Sequence, residues 1–145
     1  MITNERQYRI TKSWLERFRQ ARASVEEQGA ELHPRARQAF RDQYDSQIEE
    51  LDEQLTEYEA LRCGKIRVLE LESLAELPEA LIRARIAAGL TQKDLARRLG
   101  LKEQQIQRYE ATRYAGATLA RIGAVADALG VKMREQLILP SAGGD

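Results

Sequence analysis

Apolar positions recur early in the chain at helical spacing. Ile10, Trp14, Phe18, Ala21 and Val25 follow one another at steps of 4, 4, 3 and 4, one stripe of a helix that Gln28-Gly29 ends. Pro34 suits a first helical position and opens a second helix. Its stripe is Phe40, Tyr44, Ile48, Leu51, Leu55 and Tyr58, and it stops near Arg62 before Gly64. Two amphipathic helices on a short connection predict an antiparallel hairpin over residues 1–64. From Lys65 to Leu71 polar and apolar residues alternate briefly, as in a short strand or an extended linker within 65–78. Such a strand would need a neighbour, which a second copy of the chain could supply. Ser73 to Leu77 predicts a capped helical turn, with Glu76 at its third position.

After Pro78 the pattern shortens. Over 79–139 it predicts five short helices with tight joints. The first carries Leu81, Ile82, Arg85 and Ile86 on one face and closes at Gly89. Thr91 caps the second, with Asp94 at capping-box spacing, and Leu95, Ala96 and Leu99 as its apolar face. Gly100 then suits a left-handed turn. The third runs from about Lys102 to Ala111, with Ile106 and Tyr109 facing inward. Thr118 caps the fourth, whose apolar positions are Leu119, Ile122, Val125, Ala126 and Leu129. Val131 to Leu139 is expected to form a last helical turn or two, stopped by Pro140, with 140–145 as a flexible tail. The fold class is therefore all-α.

Two helices joined by about three residues that include a glycine are the mark of a helix-turn-helix. Ala96 is small enough for a close crossing. Leu101 and Ile106 would fasten the second of these helices, so its remaining face points outward. That face begins Lys102-Glu103-Gln104-Gln105, more long polar side chains than a core helix needs.

Charge sharpens this division. The chain of 145 residues has no net charge, but Glu79–Leu139 carries +5 and Met1–Pro78 carries −4. The basic half could meet phosphate, and the acidic part should avoid it. Within the hairpin, the first helix has six basic and two acidic residues from Glu5 to Val25. The second carries Asp42, Asp45, Glu49, Glu50, Asp52, Glu53, Glu57 and Glu59, so the two flanks attract. A hairpin of this size buries one seam and should need a further surface. Trp14, Phe18, Tyr44, Ile48, Leu51 and Leu55 are the candidate residues for dimer or partner contact.

Other chemistry is poorly supported. No apolar run approaches the ~18–20 residues of a membrane span. The opening MITNERQYRITK is too polar for a signal peptide. Cys63 stands alone, which favours a reducing cytoplasm. With a single histidine, His33, the chain has no metal spacing, nucleophile–base set or glycine-rich phosphate loop. No enzyme, cofactor, metal or small-molecule ligand is expected.

The stretch LPEALIRARIAAGLTQKDLARRLGLKEQQIQRYE, followed by TLARIGAVADALGV, resembles the phage-repressor type of helix-turn-helix, the Cro/Xre family. The resemblance covers roughly Leu77 to Leu137. It rests on Gly89-Leu90-Thr91-Gln92, Leu95-Ala96, Leu99-Gly100, Ile106, Tyr109-Glu110 and Ala128-Leu129-Gly130. It implies a five-helix bundle whose third helix enters the major groove of double-stranded DNA. By position, Glu103, Gln104, Gln105 and Arg108 would face bases; Gln92, Lys93, Lys102, Arg113 and Tyr114 would reach phosphates. Arg85 and Glu110 match a structural ion pair of the family. Glutamine can make two bonds to adenine and arginine two to guanine, each worth ~1–3 kcal/mol of discrimination. The loop after the third helix departs from the family: Glu110-Ala111-Thr112-Arg113-Tyr114-Ala115-Gly116-Ala117 lacks its usual Asn-Gly and Pro. The opening ITNERQYRIT also resembles the start of some bacterial antitoxin-like regulators.

The function implied is a sequence-specific regulator from a bacterium or phage, a cytoplasmic repressor that binds a pseudo-palindromic operator as a homodimer. One alternative is the antitoxin of a two-gene module, its hairpin gripping a toxin protein. Another is a scaffold whose helix-turn-helix binds protein.

Overall fold

The computed structural model describes residues 1–143 and contains six α-helices among them. Helix α1 spans Glu5–Gln28 and α2 spans Pro34–Arg62. Asn4 caps α1 by accepting from the Gln7 backbone N–H at 2.8 Å. His33 Nδ1 accepts from the Arg35 backbone N–H at 3.2 Å at the start of α2, with Pro34 in the first turn. The two helices form the expected antiparallel hairpin.

The seam differs from the expected stripe. Leu15 is the one buried residue of α1, and Leu55, Tyr58 and Leu61 are those of α2. Ile10 and Trp14 remain 46% and 47% exposed. The α1 face turned inward runs through Tyr8 and Leu15, one heptad apart, so the Ile10–Trp14 edge lies at its flank. Tyr8 stacks on Tyr58 at 5.1 Å and donates to Glu59. Farther out, charge holds the helices together. Arg22 pairs with Asp45 and Arg19 with Asp52, and at the tip the signs reverse: Arg41 pairs with Glu26.

Lys65–Leu71 forms no strand and pairs with none among the described residues; Ile66 packs against the core, and the Lys65 and Ile66 N–H groups reach the Ala60 carbonyl at 3.0 and 3.3 Å. The Ser73–Glu76 capping box is present, around a 3₁₀ turn at Leu74–Glu76.

Helices α3 (Leu77–Ala87), α4 (Gln92–Leu99), α5 (Glu103–Ala111) and α6 (Leu119–Leu129) build the C-terminal unit. Here local signals translate directly. Thr91 and Asp94 exchange side-chain-to-backbone bonds of 2.9 and 3.0 Å. Gly100 caps α4 at φ 67°, and the Leu101 N–H reaches the Ala96 carbonyl at 2.8 Å. A β-carbon at Gly100 would meet nothing, so the glycine is required for its left-handed backbone and not for space. Thr118 caps α6. Ile82, Leu95, Ile106 and Val125 are completely buried at its centre.

The fifth helix is absent. Val131–Leu139 is extended, and Leu137, Ile138 and Leu139 stand exposed. Lys132, Arg134, Glu135 and Gln136 interrupt the apolar residues of this segment, so it offers no continuous helical stripe to bury. Leu119 is likewise exposed instead of facing the core, since α6 turns Ile122, Val125, Ala126 and Leu129 inward. Of the tail expected over 140–145, the last two residues lie outside the described part.

The hairpin and the C-terminal unit share one core. Leu55, Tyr58 and Leu61 join the same buried cluster as Leu77, Leu81 and Ile82. Glu57 of α2 accepts from Arg83 of α3 at 2.6 Å. Ile2, before α1 begins, is 3% exposed within that cluster.

Candidate nucleic-acid interface

Helix α5 is fixed from beneath. Ile106 is buried, and Glu110 is held by Arg85 through two bonds of 2.7 Å. Both partners are about 2–3% exposed, as the expected structural ion pair requires. The Arg85 guanidinium also donates to the Leu90 carbonyl at 2.9 Å and to the Thr3 carbonyl. Four acceptors around one buried guanidinium offset the desolvation that an isolated charge there would suffer. The anchored face of α5 leaves the opposite face in solvent.

Lys102, Glu103, Gln104, Gln105, Gln107 and Arg108 are all exposed. They are not equivalent. Gln105 turns its Oε1 back to the Lys102 backbone N–H at 2.9 Å, which engages it as a helix cap. Glu103 accepts from Gln107 at 3.4 Å along the helix. The side chains of Gln104 and Arg108 have no hydrogen-bond partner among the described residues. One helical turn apart, they share a face. Four of the expected base-facing residues thus lie together on one surface, and two of them are free to take a ligand.

The expected phosphate contacts divide. Lys93 and Lys102 are exposed, at the start of α4 and just before α5. Arg113 is exposed but engaged, pairing with Glu79 at 3.2 Å and donating to the Glu110 carbonyl at 3.0 Å. Gln92 is 8% exposed, and its Nε2 donates to Glu110 at 3.2 Å. Its side chain braces the ion pair instead of reaching outward. Tyr114 is a correction: only 4% exposed, it stacks on Tyr109 at 5.5 Å. Arg113 and Tyr114 both adopt positive φ, which swings the tyrosine ring into the core. Burial, and then the nearby Glu110 carboxylate, push its hydroxyl pKa far above the usual value.

The structure adds two contributors. Gln107 lies on the exposed surface of α5, one turn after Glu103, a spacing visible in the sequence. Met1, Thr3, Asn4 and Gln7 line a cleft of about 330 Å³ with Gln92, Gln107 and Arg113. The start of α1 therefore borders the far end of α5, leaving Glu103 and Gln104 uncovered.

The candidate hairpin contacts also divide. Trp14 stacks on Phe18 at 5.9 Å, and Phe18 packs against Tyr44 at 6.2 Å, a half-exposed aromatic row. Ile48 and Leu51 are partly buried. Leu55 is inside the core, 6% exposed, and leaves the list of surface candidates. No helix is long and apolar enough to cross a membrane, and no group of potential metal ligands occurs among the described residues.

A capped α4, a left-handed glycine turn and an anchored α5 with a polar outer face define a helix-turn-helix domain. The family model described as helix-turn-helix matches residues 81–136, which supports the resemblance of this part of the chain to the Cro/Xre type of DNA-binding regulatory domain. Comparison with curated proteins gave no match, and neither did comparison with solved structures.

Proposed function

We propose that the protein is a sequence-specific double-stranded DNA-binding repressor, acting as a homodimer on a pseudo-palindromic operator. The observation that carries this reading is the pair Gln104 and Arg108: exposed, unpaired, and one turn apart on a helix immobilised by Ile106 and Glu110. Immobilising the helix while leaving its polar termini free suits major-groove readout, where each bidentate contact discriminates by ~1–3 kcal/mol. Lys93 and Lys102 flank that face and supply charge for the phosphates. One helix reads only a few base pairs, so a dimer on half-sites ~34–36 Å apart, or a multiple of this, gives the needed specificity. The half-exposed Ile10, Trp14 and Phe40 of the hairpin provide an apolar surface for that association. Repression follows from occupancy: bound operator excludes polymerase.

The test is selection of bound sequences from a random duplex library, repeated with Gln104→Ala/Arg108→Ala. The native protein should enrich a two-fold related motif. The double variant should retain its melting temperature and its salt-dependent affinity for bulk DNA while losing the motif. Unchanged enrichment would show that α5 is not the reader.

A further inference from the structure

The hairpin is attached to the helix-turn-helix domain twice. The first attachment is α2 lying on α3, through Leu55, Tyr58 and Leu61 and the Glu57–Arg83 pair. A single helix-on-helix seam resists separation better than it resists rolling about its own axis. The second attachment comes from the other helix. Ile2, just ahead of α1, is buried in the common core, and the Thr3 carbonyl accepts from Arg85. This opening segment is itself held rigid. The Thr3 backbone N–H and hydroxyl both donate to Gln7 Oε1, at 2.8 and 2.9 Å. Asn4 in turn caps the Gln7 N–H. The segment is thus a stiff continuation of α1.

Its point of attachment is the hub of the reading apparatus. The same guanidinium that takes the Thr3 carbonyl holds Glu110 near the end of α5 and the Leu90 carbonyl ahead of α4. Withdrawing the segment would strip one acceptor from a buried arginine and expose Ile2, so the attached state is favoured. Two anchors from two different helices suppress the roll that one seam would permit.

We propose that Ile2, together with the Thr3 carbonyl, is a positioning anchor that makes hairpin and reading helix one rigid body and thereby sets the half-site spacing this protein accepts. The inference rests on the dimeric operator-binding reading above. In a dimer joined through its hairpins, a rigid connection transmits one separation and one rotation to the two reading helices. Each base pair inserted between half-sites changes both, so a stiff dimer rejects it and a loose one tolerates it.

The experiment uses the full chain as native protein, Ile2→Ser, and the volume-conserving control Ile2→Leu, with circular dichroism to verify folding. In a Cys63→Ser background, spin labels at Glu27→Cys and Asp127→Cys report the distance from hairpin tip to DNA-binding domain. Native protein and Ile2→Leu should give one narrow distribution, and Ile2→Ser a broad one. Duplexes with the selected half-sites at graded spacings are then compared. Native protein should prefer its best spacing over a neighbouring one by about 100-fold, the scale at which two linked contacts exceed one. Ile2→Ser should reduce that ratio to about tenfold or less, with affinity for a single half-site unchanged. A narrow distance distribution in Ile2→Ser would overturn the anchor, whatever the DNA result. A broad distribution with undiminished spacing preference would overturn its role in spacing. A native protein indifferent to spacing would instead overturn the dimeric operator reading on which the inference stands.

Discussion

The two halves of the molecule hold their helices together by different means. The helix-turn-helix half buries residues from every one of its helices around an ion pair that is itself enclosed. The hairpin buries side chains mainly where it meets that core, at Leu15, Leu55, Tyr58 and Leu61. Its outer reach is held by surface pairs such as Arg22–Asp45 and Arg41–Glu26, which solvent and salt screen. Rigidity is therefore concentrated beneath the reading helix. The hairpin tip is less firmly held and leaves an apolar edge uncovered. This division suits the proposed function, in which α5 is held still and the hairpin mediates association.

Substitutions can break the contrast, and the largest effect is expected at its centre. Glu110→Ala leaves the Arg85 guanidinium buried without its counterion, a change that costs about 3–5 kcal/mol. Urea denaturation should show this loss; a loss below about 1 kcal/mol would mean that the pair contributes little beyond filling space. An intermediate effect tests the hairpin's two ends. Leu61→Ala, in the shared core, should cost about 2–5 kcal/mol. Ile10→Ala, on the exposed edge, should change monomer stability by no more than about 0.5 kcal/mol while weakening self-association in sedimentation. Equal costs would remove the distinction between base and flank.

The smallest effect concerns pH. The hydrogen bond from Arg22 holds Asp45 below the usual carboxylate pKa. Because the folded value is the lower one, the unfolded chain binds this proton first as pH falls. The contribution is complete above the ordinary carboxylate range near 4 and is lost as pH drops through the lowered folded value. Protection of the amides around Ala21–Val25 and Gln43–Gln47, measured relative to their intrinsic exchange rates at each pH, should fall below that range, and Asp45→Asn should abolish the acid-induced change. A variant that keeps the same acid sensitivity would move the cause to other carboxylates.

Much of the fold was legible because its signals are local. Pro34 starts the second long helix, and Thr91 with Asp94 and Gly100 punctuates the short ones. Each acts within about four residues, so backbone geometry follows from the nearby side chains. The Arg85–Glu110 pair, 25 positions apart, came from family resemblance and not from periodicity. Misreadings arose where rotation or distant contacts decide. The apolar stripe of α1 was correct as a helix and rotated as a surface, since Leu15 faces inward and Trp14 the flank. Tyr114 looked available until two positive-φ residues turned it inward. Val131–Leu139 forms no helix, because its few apolar residues find no surface that would bury one face.

The amino-acid sequence by itself determined the helices, their caps and turns, and the polar face of α5, because these depend on interactions between residues a few positions apart. Gln105 is engaged locally, as the cap at Lys102, and the side chains of Gln104 and Arg108 make no hydrogen bond among the described residues. Tertiary structure alone decided that Gln92 of α4 turns inward to Glu110. It also brought Ile2 and Thr3 to Arg85, a contact across 82 positions that no local pattern announces. Such contacts form because a buried guanidinium must complete its hydrogen bonds, and the nearest available carbonyl in space need not be near in the chain.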